Sequence, residues 1–273
     1  MRASPATPPR PKASRRPGAF LRICGVALFA LCAAALPAVG GGRVNLTVSA
    51  AVSLTESLQA IQALYRQRTP GVAITLNLGA SGFLEQQIAQ GAPVDIFISA
   101  SPQEMDALEA QGLLVNNTRK ALLNNTLVLI CPAEFNGVSG FADLRNPGIK
   151  RVAIADPESV PAGAYARQVL EYFKLYSLIH PKLIFGGDVR QVLAYVETGN
   201  VDAGLVYSTD AKLSSRVKVV AIAPQASHAP IVYPVAVLKE CRHVAAAERF
   251  VRFLSRLQAK QVFEREGFTL AQH

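Results

Sequence analysis

A strand pattern and a helix pattern follow one another within residues 44–65, and the period changes after two alanines, Ala50 and Ala51. Apolar and polar residues alternate over residues 44–49, which is the period of a β-strand. From Leu54 onward, apolar residues recur every three or four positions, as they do on the buried face of a helix. Ser53 stands at the junction with Glu56 three positions later, and this capping-box pattern predicts that the helix begins at Ser53. A helix N-terminus at the end of a strand offers free backbone N–H groups to an anion.

The same alternation continues along the chain and sets its fold class. Strand patterns cover residues 44–49, 73–78, 94–98, 127–131, 152–155, 183–185, 203–206, 217–222 and 233–238. Helix patterns cover residues 54–65, 83–89, 102–110, 162–173, 189–197 and 245–257. Alternation of this kind is typical of parallel strands joined by crossover helices, so the chain is predicted to be an α/β protein. Short segments near Asn124-Asn125 and at residues 231–234 are predicted crossovers, which would insert a second lobe into the first.

Residues 1–42 have the layout of a secretory signal. They contain basic residues and no acidic ones, and an apolar run over residues 23–37 ends in small residues. The run is short for a bilayer span, so we predict a cleaved signal peptide with cleavage between Ala38 and Gly42, and an uncleaved membrane anchor is the alternative. The general secretory route is favoured, although Ser14-Arg15-Arg16 resembles part of a twin-arginine signal. Export predicts a periplasmic protein.

The charge and the cysteines limit the partners of the remaining chain. The net charge of the whole chain is +9, and six of its basic residues lie in residues 1–42, which leaves +3 without a basic run. This balance gives no reason to expect nucleic acid or a membrane surface as a partner. Cys131 and Cys241 remain after the signal. The sequence leaves open whether they form a disulfide or stay as two free thiols.

Four turns between a predicted strand and a predicted helix carry the candidate binding groups. They are Ala51-Val52-Ser53, Gly79-Ala80-Ser81-Gly82, Ser159-Val160-Pro161-Ala162-Gly163 and Gly186-Gly187-Asp188-Val189. Turns of this kind lie at the carboxyl edge of a parallel sheet, where ligands bind. Asp188 is predicted to cap its helix and to leave the N–H of Val189 free. Tyr207 ends a strand at the same edge. Taken singly, each serine or aspartate is also explained as a helix cap, and Tyr207 as a half-buried strand residue.

The residue types in these turns indicate what kind of site they form. The turns contain no Lys, Arg or His, so a bound anion would be held by neutral dipoles and hydroxyls. The four histidines of the sequence match no metal-ligand spacing. The sequence has no Gly-x-Ser-x-Gly elbow and no Walker loop. We therefore predict no catalytic residue, no metal site and no cofactor.

Longer segments resemble a known family, the periplasmic molybdate-binding proteins of ABC importers. The matching segments are AAVSLTESLQ, GASGFLEQQIAQGAPVDIFISAS, DPESVPAGAYARQVL, DVRQVLAYVETGNVDAGLVYSTDA, VYPVAVLK and EREGFTL. The resemblance implies a two-lobed periplasmic binding protein fold of type II, in which each lobe is a mostly parallel sheet flanked by helices and two crossovers connect the lobes. It also implies that residues 43–124 and 234–273 form lobe 1, and that residues 125–233 form lobe 2.

The resemblance further implies a ligand set and partners. Ser53 and Ser81 would supply hydroxyl and N–H donors, Ala162 and Val189 backbone N–H donors, and Tyr207 its hydroxyl. The ligand would be molybdate, and tungstate as well, delivered by a monomer to an ABC permease. Ala80 and Gly82 flank Ser81 where the family often has serines, which bears on pocket size. The alternatives are a binder of sulfate or another tetrahedral oxyanion, an enzyme on the same scaffold, and a sensory domain.

Overall fold

Two β-sheets flanked by helices organise residues 43–271, the part of the chain that the structure, a computed structural model, describes. The predicted signal peptide, residues 1–42, lies outside the described residues. The strands are β1 (Val44–Ala51), β2 (Val72–Gly79), β3 (Ile96–Ile98), β4 (Lys120–Asn124), β5 (Leu127–Pro132), β6 (Val152–Ala155), β7 (Leu183–Gly186), β8 (Ala203–Tyr207), β9 (Val217–Ile222), β10 (Val232–Val237) and β11 (Thr269–Leu270). The helices are α1 (Thr55–Arg68), α2 (Ser81–Ala89), α3 (Pro102–Ala110), α4 (Pro161–Tyr172), α5 (Tyr176–Ile179), α6 (Val189–Glu197), α7 (Ser208–Ala211), α8 (Val244–Leu254) and α9 (Leu257–Glu266).

Both sheets are mixed rather than mostly parallel. The first sheet has the order β11-β4-β10-β3-β1-β2, and the second has the order β7-β6-β8-β5-β9. In the first, β1 is parallel to β2 and β3, whereas β10 is antiparallel to β3 and β4. In the second, β6 is parallel to β7 and β8, whereas β5 is antiparallel to β8 and β9. The antiparallel strands β5 and β10 are those with which the chain enters a sheet after leaving the other, and this accounts for the departure from the prediction.

The chain crosses between the sheets twice, which gives the predicted two-lobed fold. It leaves the first sheet after β4 and enters the second at β5, with Asn125 and Thr126 between them. It returns between β9 and β10, and the helices α8 and α9 then pack beside the first sheet, where β11 pairs with β4. The predicted fold class, a two-lobed α/β protein with two crossovers, is confirmed.

Apolar residues are buried along the faces that the sequence periodicity predicts. In β1, Leu46 and Val48 are fully buried, and in α1 Leu58 and Ile61 are fully buried as well. The strand contributes every second residue and the helix every third or fourth, because those residues share a face. Burial of these side chains against one another fixes the direction in which β1 delivers the chain to α1, and so positions the turn between them.

The structure differs from the predicted elements mainly near the end of the first sheet. Strand β4 was not predicted, because the sequence KALLN is short and begins with an exposed lysine. The predicted helix over residues 245–257 corresponds to α8, which ends earlier, at Leu254. Helix α9 follows after Ser255 and Arg256 and was not predicted. Cys131 and Cys241 are both buried and free, so the alternative of two free thiols is correct. Over residues 43–271, no helix combines the length and the apolar character needed to cross a membrane.

Candidate functional site

The five residues selected from the sequence line one cavity between the two lobes. Ser53, Ser81, Ala162, Val189 and Tyr207 all contribute to its wall. The other lining residues are Ala51, Val52, Gly79, Ala80, Ala100, Val160, Pro161 and Asp188. The cavity has room for about one water-sized body, about 10 Å³. A tetrahedral oxyanion is larger than water, so it fits only when the two lobes separate slightly, whereas a sugar or a peptide requires a much wider opening.

Three helix N-termini meet at this cavity. Helix α2 begins at Ser81, α4 begins one residue before Ala162, and α6 begins at Val189. The first N–H groups of a helix have no partner within the helix, and the helix dipole makes this end partly positive. The start of α4 lies against the end of β6, where a Cβ atom on Gly163 would be 2.2 Å from the carbonyl oxygen of Ala155. Only glycine allows this close approach, which brings the N-terminus of α4 to the cavity.

The hydroxyl of Ser81 already has a hydrogen-bond donor from the protein. Its Oγ accepts from the N–H of Ala100 at 3.0 Å, and the side chain is buried. An acceptor role for this oxygen is thus filled within lobe 1. The hydroxyl proton of Ser81 is left to donate toward the cavity.

Ser53 does not cap a helix, so that part of the prediction is wrong. The chain makes a 3-10 turn over Val52–Leu54 before α1 begins at Thr55, and Ser53 lies inside this turn. The extra turn moves Ser53 out of the capping position. Its Oγ lies 3.0 Å from the hydroxyl of Tyr233 instead. Glu56 likewise makes no capping box, and its carboxylate binds Arg190.

Asp188 does cap its helix, as predicted. Its Oδ1 accepts from the N–H of Gln191 at 2.9 Å, and the side chain of Gln191 in turn accepts from the N–H of Gly187 at 2.6 Å. This reciprocal arrangement uses the carboxylate of Asp188 on the helix. The N–H of Val189, two residues before the capped N–H of Gln191, stays available at the cavity.

The hydroxyl of Tyr207 is the strongest single sign of a ligand. The side chain is 1% exposed, and its oxygen has no hydrogen-bond partner among residues 43–271. Burial, followed by the nearby Tyr233 and Tyr165, raises the pKa of Tyr207 well above its usual value, so the group keeps its proton. A buried hydroxyl left without a partner costs about 1–3 kcal/mol. A ligand that accepts a hydrogen bond would remove this cost.

A cluster of charged side chains lies beside the cavity and joins the lobes. Arg190 follows Val189, and its Nη1 and Nη2 lie 3.0 Å and 2.6 Å from the two carboxylate oxygens of Glu56 on α1. Its Nε lies 2.6 Å from Oδ1 of Asp210, which is fully buried on α7. Burial raises the pKa of Asp210 to about 7, although Arg190 acts in the opposite direction. The sequence analysis missed this cluster.

Three more contacts that the sequence analysis missed involve the same region. Tyr233 on β10 contacts Ser53, and the side chain of Asn125 in the first crossing contacts Tyr233. The N–H of Gly82 in lobe 1 donates to the carbonyl of Ser159 in lobe 2 at 3.2 Å. A Cβ atom on Gly82 would lie 2.5 Å from that carbonyl oxygen. Asn125 and residues 231–234 had been noted only as crossovers.

Comparison with known proteins identifies relatives along nearly the whole described chain. The family model for bacterial extracellular solute-binding proteins matches residues 46–269. The molybdate-binding protein ModA of Escherichia coli is 38% identical over 253 residues, which cover 89% of this chain and 97% of that protein. ModA of Haemophilus influenzae is 38% identical over 231 residues, 82% of this chain and 90% of that protein. The solved periplasmic molybdate-binding protein of Azotobacter vinelandii has the same fold, with a TM-score of 0.75 at 24% identity over 83% of this chain and 100% of that one.

Proposed function

We propose that this chain, which belongs to the bacterial extracellular solute-binding proteins, captures molybdate between its two lobes and delivers it to an ABC permease. The observation that carries the proposal is a cavity between the lobes at which neutral donors converge. One of them is the buried hydroxyl of Tyr207, which has no hydrogen-bond partner among residues 43–271. A small tetrahedral oxyanion presents acceptors in several directions at once, and such donors match it. Tungstate, with the same charge and shape, is expected to occupy the same site.

Each of the five residues has a role in this proposal. Ser53, Ser81 and Tyr207 donate from their hydroxyls, and Ala162 and Val189 donate from backbone N–H groups at the starts of α4 and α6. No lysine, arginine or histidine lines the cavity. The charge of the anion is therefore balanced by dipoles that are already oriented before it binds.

The protein around the site is proposed to work as a two-lobed trap. Lobe 1 comprises residues 43–124 and 234–273, lobe 2 comprises residues 125–233, and ligand binding holds them together. The protein acts as a periplasmic monomer after removal of residues 1–42 as a signal peptide. It uses no cofactor and carries out no reaction, because its task is to bind and transfer the anion.

The donor set determines which anions are accepted. Molybdate and sulfate carry no proton near neutral pH, whereas phosphate retains at least one and requires an acceptor. A backbone N–H cannot accept, and Asp188 caps its helix by accepting from the N–H of Gln191 with Oδ1. Phosphate binding comparable to that of molybdate would implicate the other carboxylate oxygen of Asp188 as its acceptor. A buried group without a partner costs about 1–3 kcal/mol, so phosphate is rejected. Sulfate is rejected by size, because its shorter bonds leave its oxygens short of donors that are fixed in two lobes.

Titration calorimetry of the purified protein with molybdate, tungstate, sulfate and phosphate tests the proposal. We expect molybdate and tungstate to bind and excess sulfate or phosphate not to displace them. A thermal shift gives an independent readout, since a ligand at a hundred times its Kd stabilises the folded state by about 2.7 kcal/mol. Sulfate binding equal to that of molybdate would replace the assigned ligand with a general tetrahedral oxyanion. The absence of binding by all four would reject the function.

A further inference from the structure

A buried hydrogen-bond chain leads from the first crossing between the lobes to Ser53. The Nδ2 atom of Asn125 lies 3.2 Å from the hydroxyl oxygen of Tyr233, and this oxygen lies 3.0 Å from Oγ of Ser53. Tyr233 is fully buried and does not line the cavity. The distances alone do not show which hydroxyl donates and which accepts in each of these hydrogen bonds.

The surroundings of Asn125 fix the direction at the start of this chain. Its Oδ1 accepts from the N–H of Thr126 at 2.8 Å and from the hydroxyl of Ser208 at 3.2 Å. The amide nitrogen must therefore face the other way, where it donates to Thr209 at 3.0 Å and to Tyr233. An amide NH₂ group can only donate. The hydroxyl of Tyr233 consequently accepts from Asn125.

The direction then passes to Ser53. Tyr233 has one proton, and its oxygen has two hydrogen-bond contacts among residues 43–271, Nδ2 of Asn125 and Oγ of Ser53. The amide nitrogen cannot accept, so the proton of Tyr233 is donated to Oγ of Ser53. Burial raises the pKa of Tyr233, although Ser53 and Asn125 lower it in part, and the proton stays on the oxygen at neutral pH. With its oxygen accepting from Tyr233, Ser53 has its own proton free to point into the cavity. Ser81 reaches the same state by accepting from the N–H of Ala100.

We propose that Tyr233, oriented by Asn125, holds Ser53 as a hydrogen-bond donor and thereby determines the specificity of the site against protonated anions. The inference rests on the proposed function, because it assigns a role in selecting the oxyanion. Without the Tyr233 hydroxyl, Ser53 could turn and accept a proton from phosphate. Tyr233 is a positioning residue, since it acts on the ligand through Ser53.

The test is Tyr233→Phe, with molybdate and inorganic phosphate titrated separately into the full mature chain at neutral pH. We expect molybdate to bind about two- to tenfold more weakly, and phosphate to bind more tightly than it binds the wild type. The ratio of the affinity for molybdate to the affinity for phosphate is thus expected to fall. A purely structural role would weaken both ligands equally, and an unchanged ratio would overturn the inference.

Two further variants make the result decisive. Asn125→Asp replaces a donor with an acceptor and draws the proton of Tyr233 away from Ser53. It should therefore lower the ratio of molybdate affinity to phosphate affinity, and it serves as the test if Tyr233→Phe fails to fold. Tyr165→Phe is the matched control, because Tyr165 is another buried tyrosine, whose hydroxyl contacts the carbonyl of Pro230 at 3.4 Å, and it should leave the ratio unchanged. If wild-type protein binds no molybdate, the proposed function fails. If it binds molybdate and both test variants keep the wild-type ratio, this inference alone fails.

Discussion

Val189 and Arg190 are adjacent in sequence, yet they belong to two regions of opposite character. Val189 lines a cavity in which the polar groups are neutral hydroxyls and N–H groups, apart from the capping carboxylate of Asp188. Arg190 belongs to a cluster with Glu56 and Asp210, in which every member is ionisable. Both regions connect the two lobes, one through the proposed ligand and the other through side chains.

The difference between the two regions suggests a division of tasks: one region selects the ligand, and the other helps to hold the two lobes together. A cation inside the cavity would lose its hydration and would attract any anion. Neutral donors avoid this and select by the presence or absence of a proton on the ligand. The positive charge of Arg190 is shared between two carboxylates, so it adds little net attraction for an anion, and it holds lobe 1 to lobe 2 instead. We infer that dipoles choose the ligand and that charges assist closure.

The largest effect expected from this comparison is a pH dependence of stability that arises in the charged cluster. Burial raises the pKa of Asp210 from its usual 3.8 to about 7, against the influence of Arg190 and with smaller contributions from Glu56 and Asp188. Between these pH values the folded protein holds a proton that the unfolded chain has lost. The stability that Asp210 contributes is therefore fully present below about pH 4 and is lost as the pH rises to about 7. Each pKa unit corresponds to about 1.4 kcal/mol.

The measurement is urea unfolding of wild type and Asp210→Asn between pH 4 and pH 8. The free energy of unfolding of the wild type minus that of the variant should fall as the pH rises to about 7 and stay level above it. Glu56 also titrates in the folded protein: burial alone would raise its pKa, but the contact with Arg190 outweighs burial and lowers the pKa. Because Glu56 is present in both proteins, subtracting the two free energies of unfolding removes its contribution. A difference that stays level or rises over this range would mean that Arg190 keeps Asp210 ionised.

On the cavity side, removal of single donors should weaken binding without affecting the fold. Ser81→Ala and Tyr207→Phe each delete one hydroxyl that faces a charged ligand in the proposal. A hydrogen bond to a charged group is worth about 1.5–3 kcal/mol, or roughly ten- to a hundredfold in affinity. Titration calorimetry with molybdate measures the loss. Tyr207→Phe should also keep or raise the stability of the ligand-free protein, because its hydroxyl has no partner within residues 43–271. Wild-type affinity in both variants would make these hydroxyls structural.

A smaller effect is expected where the lobes meet through backbone. In Gly82→Ala the new Cβ would lie 2.5 Å from the carbonyl oxygen of Ser159 in the other lobe, so the lobes must move apart slightly. We expect Gly82→Ala to weaken molybdate binding by about 1 kcal/mol, which is near fivefold in affinity and lies at the low end of overpacking effects. The stability of the ligand-free protein should rise, because alanine favours a helix over glycine by about 0.5–1 kcal/mol.

Gly187→Ala is the matched control for this variant. It lies in a turn next to the site, but its Cβ would make only an ordinary contact, 3.5 Å from the side chain of Gln191. Its affinity for molybdate should stay near that of the wild type. If Gly82→Ala binds as tightly as this control, the contact between Gly82 and Ser159 does not limit closure.

Elements with strong local signals were predictable from the sequence. The predicted bounds of α3 and α6 agree with the structure, because a capping side chain marks the start of each: Ser101 accepts from the N–H of Gln103, and Asp188 accepts from the N–H of Gln191. The five candidate positions lie at one cavity for a related reason, since turns at the carboxyl ends of parallel strands share an edge of the sheet. Strand β4 lacked such a signal and was missed.

Contacts between residues far apart in the sequence were beyond a local pattern. Ser53 and Tyr233 are 180 residues apart, and Glu56 and Arg190 are 134 residues apart. Ser53 and Glu56 have the spacing of a capping box, but Ser53 lines the cavity and Glu56 belongs to the charged cluster. The 3-10 turn over Val52–Leu54 places Ser53 against Tyr233. No residue near Ser53 in the sequence signals this contact, so the local pattern predicted a cap that does not form.

The smallest effect concerns the contact between Glu56 and Arg190. Glu56→Gln removes the negative charge and one of the two acceptor oxygens that Arg190 contacts between α1 and α6. At most one hydrogen bond between these side chains remains, and this contact joins the two lobes. The side chain of Glu56 is 38% exposed, and a partly exposed pair contributes about 0–1 kcal/mol. Removing a carboxylate near the cavity also favours anion binding. That opposing effect acts at longer range, because Glu56 does not line the cavity, whereas its oxygens lie 2.6 Å and 3.0 Å from Arg190. The direct contact therefore outweighs it.

We expect molybdate to bind Glu56→Gln up to about fivefold more weakly than wild type at low salt, through faster dissociation, with the difference shrinking at high salt because ions screen exposed charges. The free energy of unfolding should hardly change. Glu171→Gln is the control, since Glu171 pairs with Arg167 at 2.8 Å within the single helix α4 and spans no lobe boundary. Calorimetry at two salt concentrations separates the possibilities. A weaker Glu56→Gln beside an unchanged Glu171→Gln supports a charged contact that assists closure. Equal affinities in all three proteins would assign closure to the neutral cavity and its ligand alone, and the separation between recognition and closure would then be wrong.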